Sequence, residues 1–157
     1  MDRRARAASD ARALLAAALE LSVLRIDAEH AELGLRNAGA AHAVPTGAGF
    51  LRDIWVDVRI VDARGRTIDV PRVIDLGTRM LAGETDVSVI TEADHLEPRS
   101  LAPGDERTAS IELPAGVTLP VRVEASLRAH AIRSDTLEAL SLPPLPVLEV
   151  ASASLDL

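Results

Sequence analysis

The amino-acid sequence predicts an all-β fold, an antiparallel β-sandwich with immunoglobulin-like or Greek-key connections that follows one N-terminal α-helix. Apolar and polar residues alternate in several short runs, which is typical of strands with one buried face. Turn residues separate these runs at short intervals, and no helical periodicity appears between them, which argues against a parallel α/β sheet. The length of 157 residues suits a single domain.

The helix is predicted at residues 1–20, where apolar residues recur at helical spacing and Ser9 or Asp10 is placed to cap it. The predicted apolar stripe consists of Ala11, Leu14, Leu15, Ala18 and Leu19. A signal peptide is the alternative interpretation, because arginines precede an alanine-rich stretch. Glu20 follows that stretch at once and no small-residue cleavage site closes it, so the helix is favoured.

The sandwich is predicted at residues 21–153. Its clearest strand places Ile54, Val56, Val58 and Ile60 on one face and Trp55, Asp57, Arg59 and Val61 on the other. Residues 62–66 predict a hairpin turn, in which Gly65 can adopt a positive φ. A second strictly alternating run covers residues 121–130 and predicts another half-buried strand.

Three stretches of the chain are predicted to lie outside long strands. Residues 71–84 are expected to be irregular, before a short strand at 86–91. Three prolines stiffen a linker at residues 143–146. Residues 154–157 are expected to form a tail.

Composition excludes several functional classes. The chain has no cysteine, so it can form no disulfide, no thiolate metal site and no covalent haem attachment through a Cys-x-x-Cys-His sequence. Its net charge of −7 and its aromatic content of 1% argue against nucleic acid as a partner. No apolar run approaches the roughly 20 residues that cross a bilayer, so no membrane span is expected.

Three of the four histidines are interpreted as ordinary polar residues. His30 starts a predicted strand, and His130 falls on the polar face of another. His95 lies among acidic residues and could join a weak divalent-metal site, but a solvated acidic loop is the favoured interpretation. No nucleophile elbow, dinucleotide-binding fingerprint or calcium-binding loop is present.

The fourth histidine, His42, lies in a loop of small residues, residues 37–49, which we call the His42 loop. Little side-chain bulk surrounds the imidazole, and Pro45 restricts Val44 to extended geometry. Such a loop can bring an imidazole close to a large flat partner. It can equally be an ordinary Gly/Pro-rich loop with a hydrogen-bonded histidine, and the residues alone favour that second interpretation.

Residues 37–47, read as Asn-x-Gly-x-x-His-x-x-Pro-Thr-Gly, resemble a motif of the non-haem β-sandwich domain found in many multihaem c-type cytochromes. Further stretches resemble the same family in the same order: the Trp-centred strand at 52–61, the hairpin at 62–65, residues 73–77, residues 99–105 and residues 146–153. Together they cover residues 21–153.

The resemblance implies a module that packs on haems carried by another segment or another chain. In the family the motif histidine can be a distal axial ligand to haem iron, a role that falls here on His42, with Pro45, Thr46 and Gly47 shaping the loop. This chain would bind no haem covalently itself. The resemblance also implies an electron-transfer accessory domain in the periplasm or outside the cell, and no enzyme activity of its own.

This sequence departs from the family in two ways. It has no Cys-x-x-Cys-His, and Ala41 stands where the family often has Gly. Two other hypotheses therefore remain open at this point. One is a structural or protein-interaction β-sandwich with no haem role, and the other is a metal-dependent enzyme that uses His42 and His95 with nearby acids.

Overall fold

The computed structural model describes residues 3–27 and 29–157, so residues 1 and 2 of the predicted helix lie outside the described chain. The helices are α1 (Arg3–Ala18) and α2 (Ser134–Ala139). The strands are β1 (Leu19–Ile26), β2 (His30–Asn37), β3 (Asp53–Asp62), β4 (Thr67–Leu76), β5 (Thr78–Ala82), β6 (Thr85–Asp86), β7 (His95–Pro98), β8 (Glu106–Glu112), β9 (Val121–His130) and β10 (Leu148–Asp156).

Two antiparallel sheets form a sandwich, which confirms the predicted fold class together with its N-terminal helix. One sheet has the order β1-β2-β8 and the other β10-β9-β3-β4. The apolar faces of both sheets meet in one core. Alternation places the core residues as predicted: Val121, Val123, Ala125, Leu127 and Ala129 of β9 are all buried. Burying each larger aliphatic side chain contributes about 1.5–3 kcal/mol.

The segment predicted to be irregular at residues 71–84 instead contains the second half of β4 and all of β5, which is the central strand of a third small sheet with the order β6-β5-β7. The prediction is wrong there because Pro71 does not end its strand. β4 continues through Pro71 to Leu76, and it is the edge strand of its sheet, where a residue without an N–H is tolerated. The prediction of a strand at 86–91 is also wrong, since only Asp86 of that range belongs to a strand and residues 90–92 form a 3-10 turn.

The ends of the chain are more regular than predicted. α1 begins at Arg3, so Ser9 and Asp10 lie inside the helix instead of capping it. The predicted tail at 154–157 belongs largely to β10, which ends at Asp156. Arg122 donates hydrogen bonds to both carboxylate oxygens of Asp156, at 2.7 and 3.0 Å, which ties this end to β9.

Strand register places one set of loops together. Leu19 pairs with Asn37, while Asp53 pairs with His130 and Ile54 with Leu76. The end of α1, the His42 loop, the start of β3 and the end of β9 therefore lie at the same end of the sandwich. The β3–β4 hairpin lies at the opposite end.

At that hairpin, the Asp62 carboxylate accepts hydrogen bonds from backbone N–H groups of the turn, so the stability of the turn depends on the charge of Asp62. The backbone N–H of Arg66, with that of Arg64, holds the pKa of Asp62 below its usual range, although burial raises it. A lowered native pKa gives stability that is complete above the ordinary carboxyl pKa and is lost as pH falls through the lowered one.

We expect Asp62→Asn to be less stable than wild type at neutral pH, with the difference vanishing in acid. Urea unfolding of both proteins across this pH range measures it, and a difference that grows in acid would contradict the assignment.

Candidate functional site

The buried carboxamide of Asn37 organises the His42 loop. Its Nδ2 donates to the carbonyl oxygens of His42 at 2.9 Å and Leu101 at 3.1 Å, and its Oδ1 accepts the N–H of Ala40 at 3.1 Å. Asn37 is the only asparagine in the chain, and it is 1% exposed. One side chain therefore bonds three backbone groups of two loops, and two of them, the His42 carbonyl and the Ala40 N–H, have no other described partner.

The His42 loop is also joined to residues 99–105, the other loop that the resemblance identified. Val44 and Leu101 exchange two backbone hydrogen bonds, of 3.0 and 2.8 Å. The backbone of Asn37 bonds in the same way to Asp105 and Gly104, at 2.9 Å each. Pro45 is buried beside this bridge. These contacts bring together two stretches that are far apart in the sequence.

The end of α1 closes the other side of the loop. The N–H groups of Ala38 and Gly39 both donate to the carbonyl oxygen of Ala18, at 3.0 and 3.1 Å. A Cβ atom at position 39 would collide with the carbonyl oxygen of Ala17. Glycine is required at position 39 because the helix and the loop approach each other too closely for a side chain.

The His42 side chain is exposed, and one of its two ring nitrogens is already engaged. Nδ1 lies 3.1 Å from the carbonyl oxygen of Ala43. A carbonyl oxygen only accepts, so this bond requires the tautomer with its proton on Nδ1. The lone pair of Nε2 is then available for another partner. No other described residue forms a hydrogen bond with the His42 ring.

A groove of about 490 Å³ runs between α1 and the His42 loop. We call it the α1–loop groove. The helix contributes Leu14, Leu15, Ala17 and Ala18, the loop contributes His42, Val44, Pro45 and Thr46, and the start of β3 contributes Arg52 and Ile54. The lining is mostly apolar, and its polar side-chain groups are the His42 imidazole, the Arg52 guanidinium and the Thr46 hydroxyl. This combination suits a large apolar ligand that also carries a metal or an anionic group.

The structure places His42, Pro45 and Thr46 on this groove, and Gly47 in the adjoining turn with φ +69°. The contribution of α1 to the groove is not predicted from the sequence; the predicted apolar stripe includes Leu14, which is 73% exposed and lines the groove. The contribution of Arg52 is likewise not predicted, since the sequence places Arg52 only at the start of a strand. No local signal identifies either residue, because their proximity depends on how α1 folds back onto the loop.

The other histidines are engaged elsewhere. His95 is exposed and bonds Asp94 at 2.6 Å, and His30 is exposed near Asp27. His130 is on the outer sheet face as predicted, but its side chain is only 12% exposed, because it packs against Trp55 with ring centroids 5.2 Å apart. Its Nδ1 is buried without a hydrogen-bond partner among the described residues.

Charged side chains cluster on the outer face beside His130, where most are internally paired. Arg72 stacks 4.5 Å over the Trp55 ring and donates to both carboxylate oxygens of Asp53, at 2.9 and 2.6 Å. Arg133 pairs with Asp135 in the same bidentate way, at 3.1 and 2.7 Å. Burial raises the pKa of Asp75, which lies 3.7 Å from Arg72. These pairs stabilise the surface and leave little free charge there.

Within residues 3–27 and 29–157, no three His, Asp or Glu side chains are grouped so as to hold a metal ion. The hypothesis of a metal-dependent enzyme at His42 and His95 therefore has no ligand cluster to support it among these residues. The helices in the same ranges include none with the length and apolar character of a membrane span.

Comparison with known proteins identifies a similar fold. No protein-family model matches the sequence, and no curated protein matches it significantly. Among solved structures, a penta-haem cytochrome c552 from Thermochromatium tepidum is similar, with a TM-score of 0.76 and 17% sequence identity. The similarity covers 93% of this chain and 41% of that chain, so this chain spans less than half of the neighbour's length. The chain therefore shares a fold with part of a multihaem cytochrome.

Proposed function

We propose that this chain is an accessory β-sandwich module of a multihaem c-type cytochrome, and that it serves electron transfer without being an enzyme itself. The module packs on haem c groups carried by another segment or chain, in the periplasm or outside the cell. His42 supplies a distal axial ligand, while Pro45, Thr46 and Gly47 shape its loop. The fold shared with a penta-haem cytochrome supports this link.

The observation that carries the proposal is the arrangement of the His42 imidazole. Histidines that bind metals usually donate their second ring N–H to an acceptor that orients the ring. The carbonyl oxygen of Ala43, 3.1 Å from Nδ1, is such an acceptor. Nε2 then offers its lone pair beside an apolar groove, and a neutral imidazole nitrogen is a common axial ligand of haem iron. These residues suit a haem group.

Each part of the site has a simple task in this proposal. A bound haem would supply one-electron redox chemistry. The Asn37 carboxamide holds the loop backbone at His42, so the imidazole needs little rearrangement to bind. Leu14 and Leu15 would exclude water from the side of the groove where the haem binds. Exclusion of water is one of the factors that set the reduction potential of a bound metal.

A protein-interaction sandwich without a haem role is the second candidate. Residues 140–147 expose four apolar side chains, Leu140, Leu142, Leu145 and Val147, each between 39% and 55%. An apolar surface of this kind often marks contact with another protein. Such contact requires no free imidazole. Whether His42 binds haem iron therefore distinguishes the two candidate functions.

An N-acetylated haem c peptide with one proximal histidine is a suitable probe, because acetylation prevents its amine from binding iron. We expect titration with the wild-type chain to convert its visible absorption spectrum to a low-spin, bis-histidine type. The conversion disappears in His42→Ala, because the second nitrogen ligand is lost.

His30→Ala is the matched control, since His30 is also exposed but lies at the other end of β2. It should convert the spectrum as wild type does. An unchanged spectrum with wild type, or the same conversion with His42→Ala, would remove the haem role and leave the interaction sandwich.

A further inference from the structure

We infer that the α1–loop groove binds the propionate-bearing edge of a haem c group, with the Arg52 guanidinium paired to a propionate carboxylate and α1 forming the apolar wall. This inference rests on the proposed function. It adds a positioning residue outside the His42 loop and a task for the N-terminal helix.

The alternation of β3 explains why Arg52 faces the groove. Ile54 points into the core and is 2% exposed, and side chains two positions apart lie on the same face of an extended chain. Arg52 directly precedes β3 with an extended backbone, so it lies on the inner face just beyond the end of the core, where it is exposed and lines the same groove as His42.

Arg52 differs from the arginines around it because it has no described carboxylate within ion-pair distance. Nearby, Arg72, Arg79 and Arg133 each have a carboxylate oxygen within 2.7 Å. The chain as a whole carries a net charge of −7. An unpaired guanidinium on the rim of an apolar groove in an acidic protein is complementary to an anionic group on the ligand.

The apolar wall limits what that ligand can be. Leu14 is 73% exposed on the groove side of α1, with Leu15 beside it. A ligand that contacts this wall, the Nε2 lone pair of His42 and Arg52 together needs an apolar body, a metal ion or a hydrogen-bond donor for the imidazole, and an anionic group for the guanidinium. Haem has all three, since its flat ring is apolar, its iron binds imidazole and its propionates are anionic.

The test uses an N-acetylated, C-terminally amidated haem c peptide without acidic residues, so that the propionates are its only carboxylates. We expect Arg52→Ala to weaken binding about threefold to tenfold, as loss of an ion pair on the rim of a groove would. The same peptide with methyl-esterified propionates should bind Arg52→Ala and wild type equally. Leu14→Ser should lower the affinity for the free-acid peptide and for the methyl-ester peptide by the same factor.

Arg64→Ala is the matched control, because Arg64 is an exposed arginine in the β3–β4 hairpin at the opposite end of the sandwich. It should bind both peptides as wild type does. Equal affinity of Arg52→Ala and wild type for the free acid would overturn the inference. If His42 still controls the spectrum in that case, the proposed function stands. If wild type does not bind the peptide, both are wrong.

Discussion

Replacing Asn37 with alanine should lower the free energy of unfolding by about 2–4 kcal/mol. The substitution leaves the carbonyl oxygen of His42 and the N–H of Ala40 without their described partner, whereas the carbonyl oxygen of Leu101 loses one bond and keeps the N–H of Val44. A buried polar group that loses its partner costs about 1–3 kcal/mol, and water can replace only part of what is lost here. Urea unfolding measures the loss, and haem-peptide affinity should fall with it because His42 is no longer held.

Asn37→Asp and Thr46→Ala are the informative comparisons. An aspartate would turn a negative oxygen toward two carbonyl oxygens, so we expect a similar loss at neutral pH and partial recovery in acid, where the carboxyl group can donate again. Thr46 is exposed in the same loop, and its truncation should change stability by less than about 0.5 kcal/mol. A loss for Asn37→Ala no larger than that of Thr46→Ala would contradict the organising role of Asn37.

Gly39→Ala should destabilise the protein by about 1–3 kcal/mol, because the added methyl group collides with backbone and not with a flexible side chain. The helix end and the loop must separate to relieve the collision. We therefore expect faster hydrogen exchange at the backbone N–H groups of positions 38 and 39, which donate to the carbonyl of Ala18. Haem-peptide affinity should fall as the groove changes shape.

Gly65→Ala is the control for this substitution. Gly65 has φ +74°, but a Cβ there meets no atom within 4 Å, so only backbone strain of about 1–2 kcal/mol is added. It lies in the distant hairpin and should leave the exchange at Ala38 and Gly39 unchanged. Wild-type exchange rates in Gly39→Ala would show that the approach of α1 to the loop is not as tight as described.

The strands whose burial alternates are predictable from the sequence. β3 and β9 form the centre of the larger sheet, and their inward residues follow the period of two that half-buried strands impose. The hairpin was predictable for a similar reason, since its turn needs a positive φ and Gly65 supplies it. The His42 loop was found through its residue pattern.

The remaining features depend on contacts between distant parts of the chain. Trp55 lies on the outer face of β3 as predicted, yet it is 6% exposed, because Arg72 and His130 cover it. α2 has six residues, too few to show helical periodicity. The α1–loop groove exists because the end of α1 bonds to Ala38 and Gly39, a pairing that no local pattern predicts. The role that we propose for Arg52 depends on that groove, so the sequence could not predict it either.

Axial ligation of haem iron by His42 is tested by the electron paramagnetic resonance spectrum of the N-acetylated ferric haem peptide bound to wild type and to His42→Ala. This spectrum reports the axial ligands of the iron, independently of how tightly the peptide binds. We predict a low-spin, bis-histidine signal with wild type and a high-spin signal with His42→Ala at matched occupancy. A low-spin signal with both proteins, or a high-spin signal with both, would contradict axial ligation by His42.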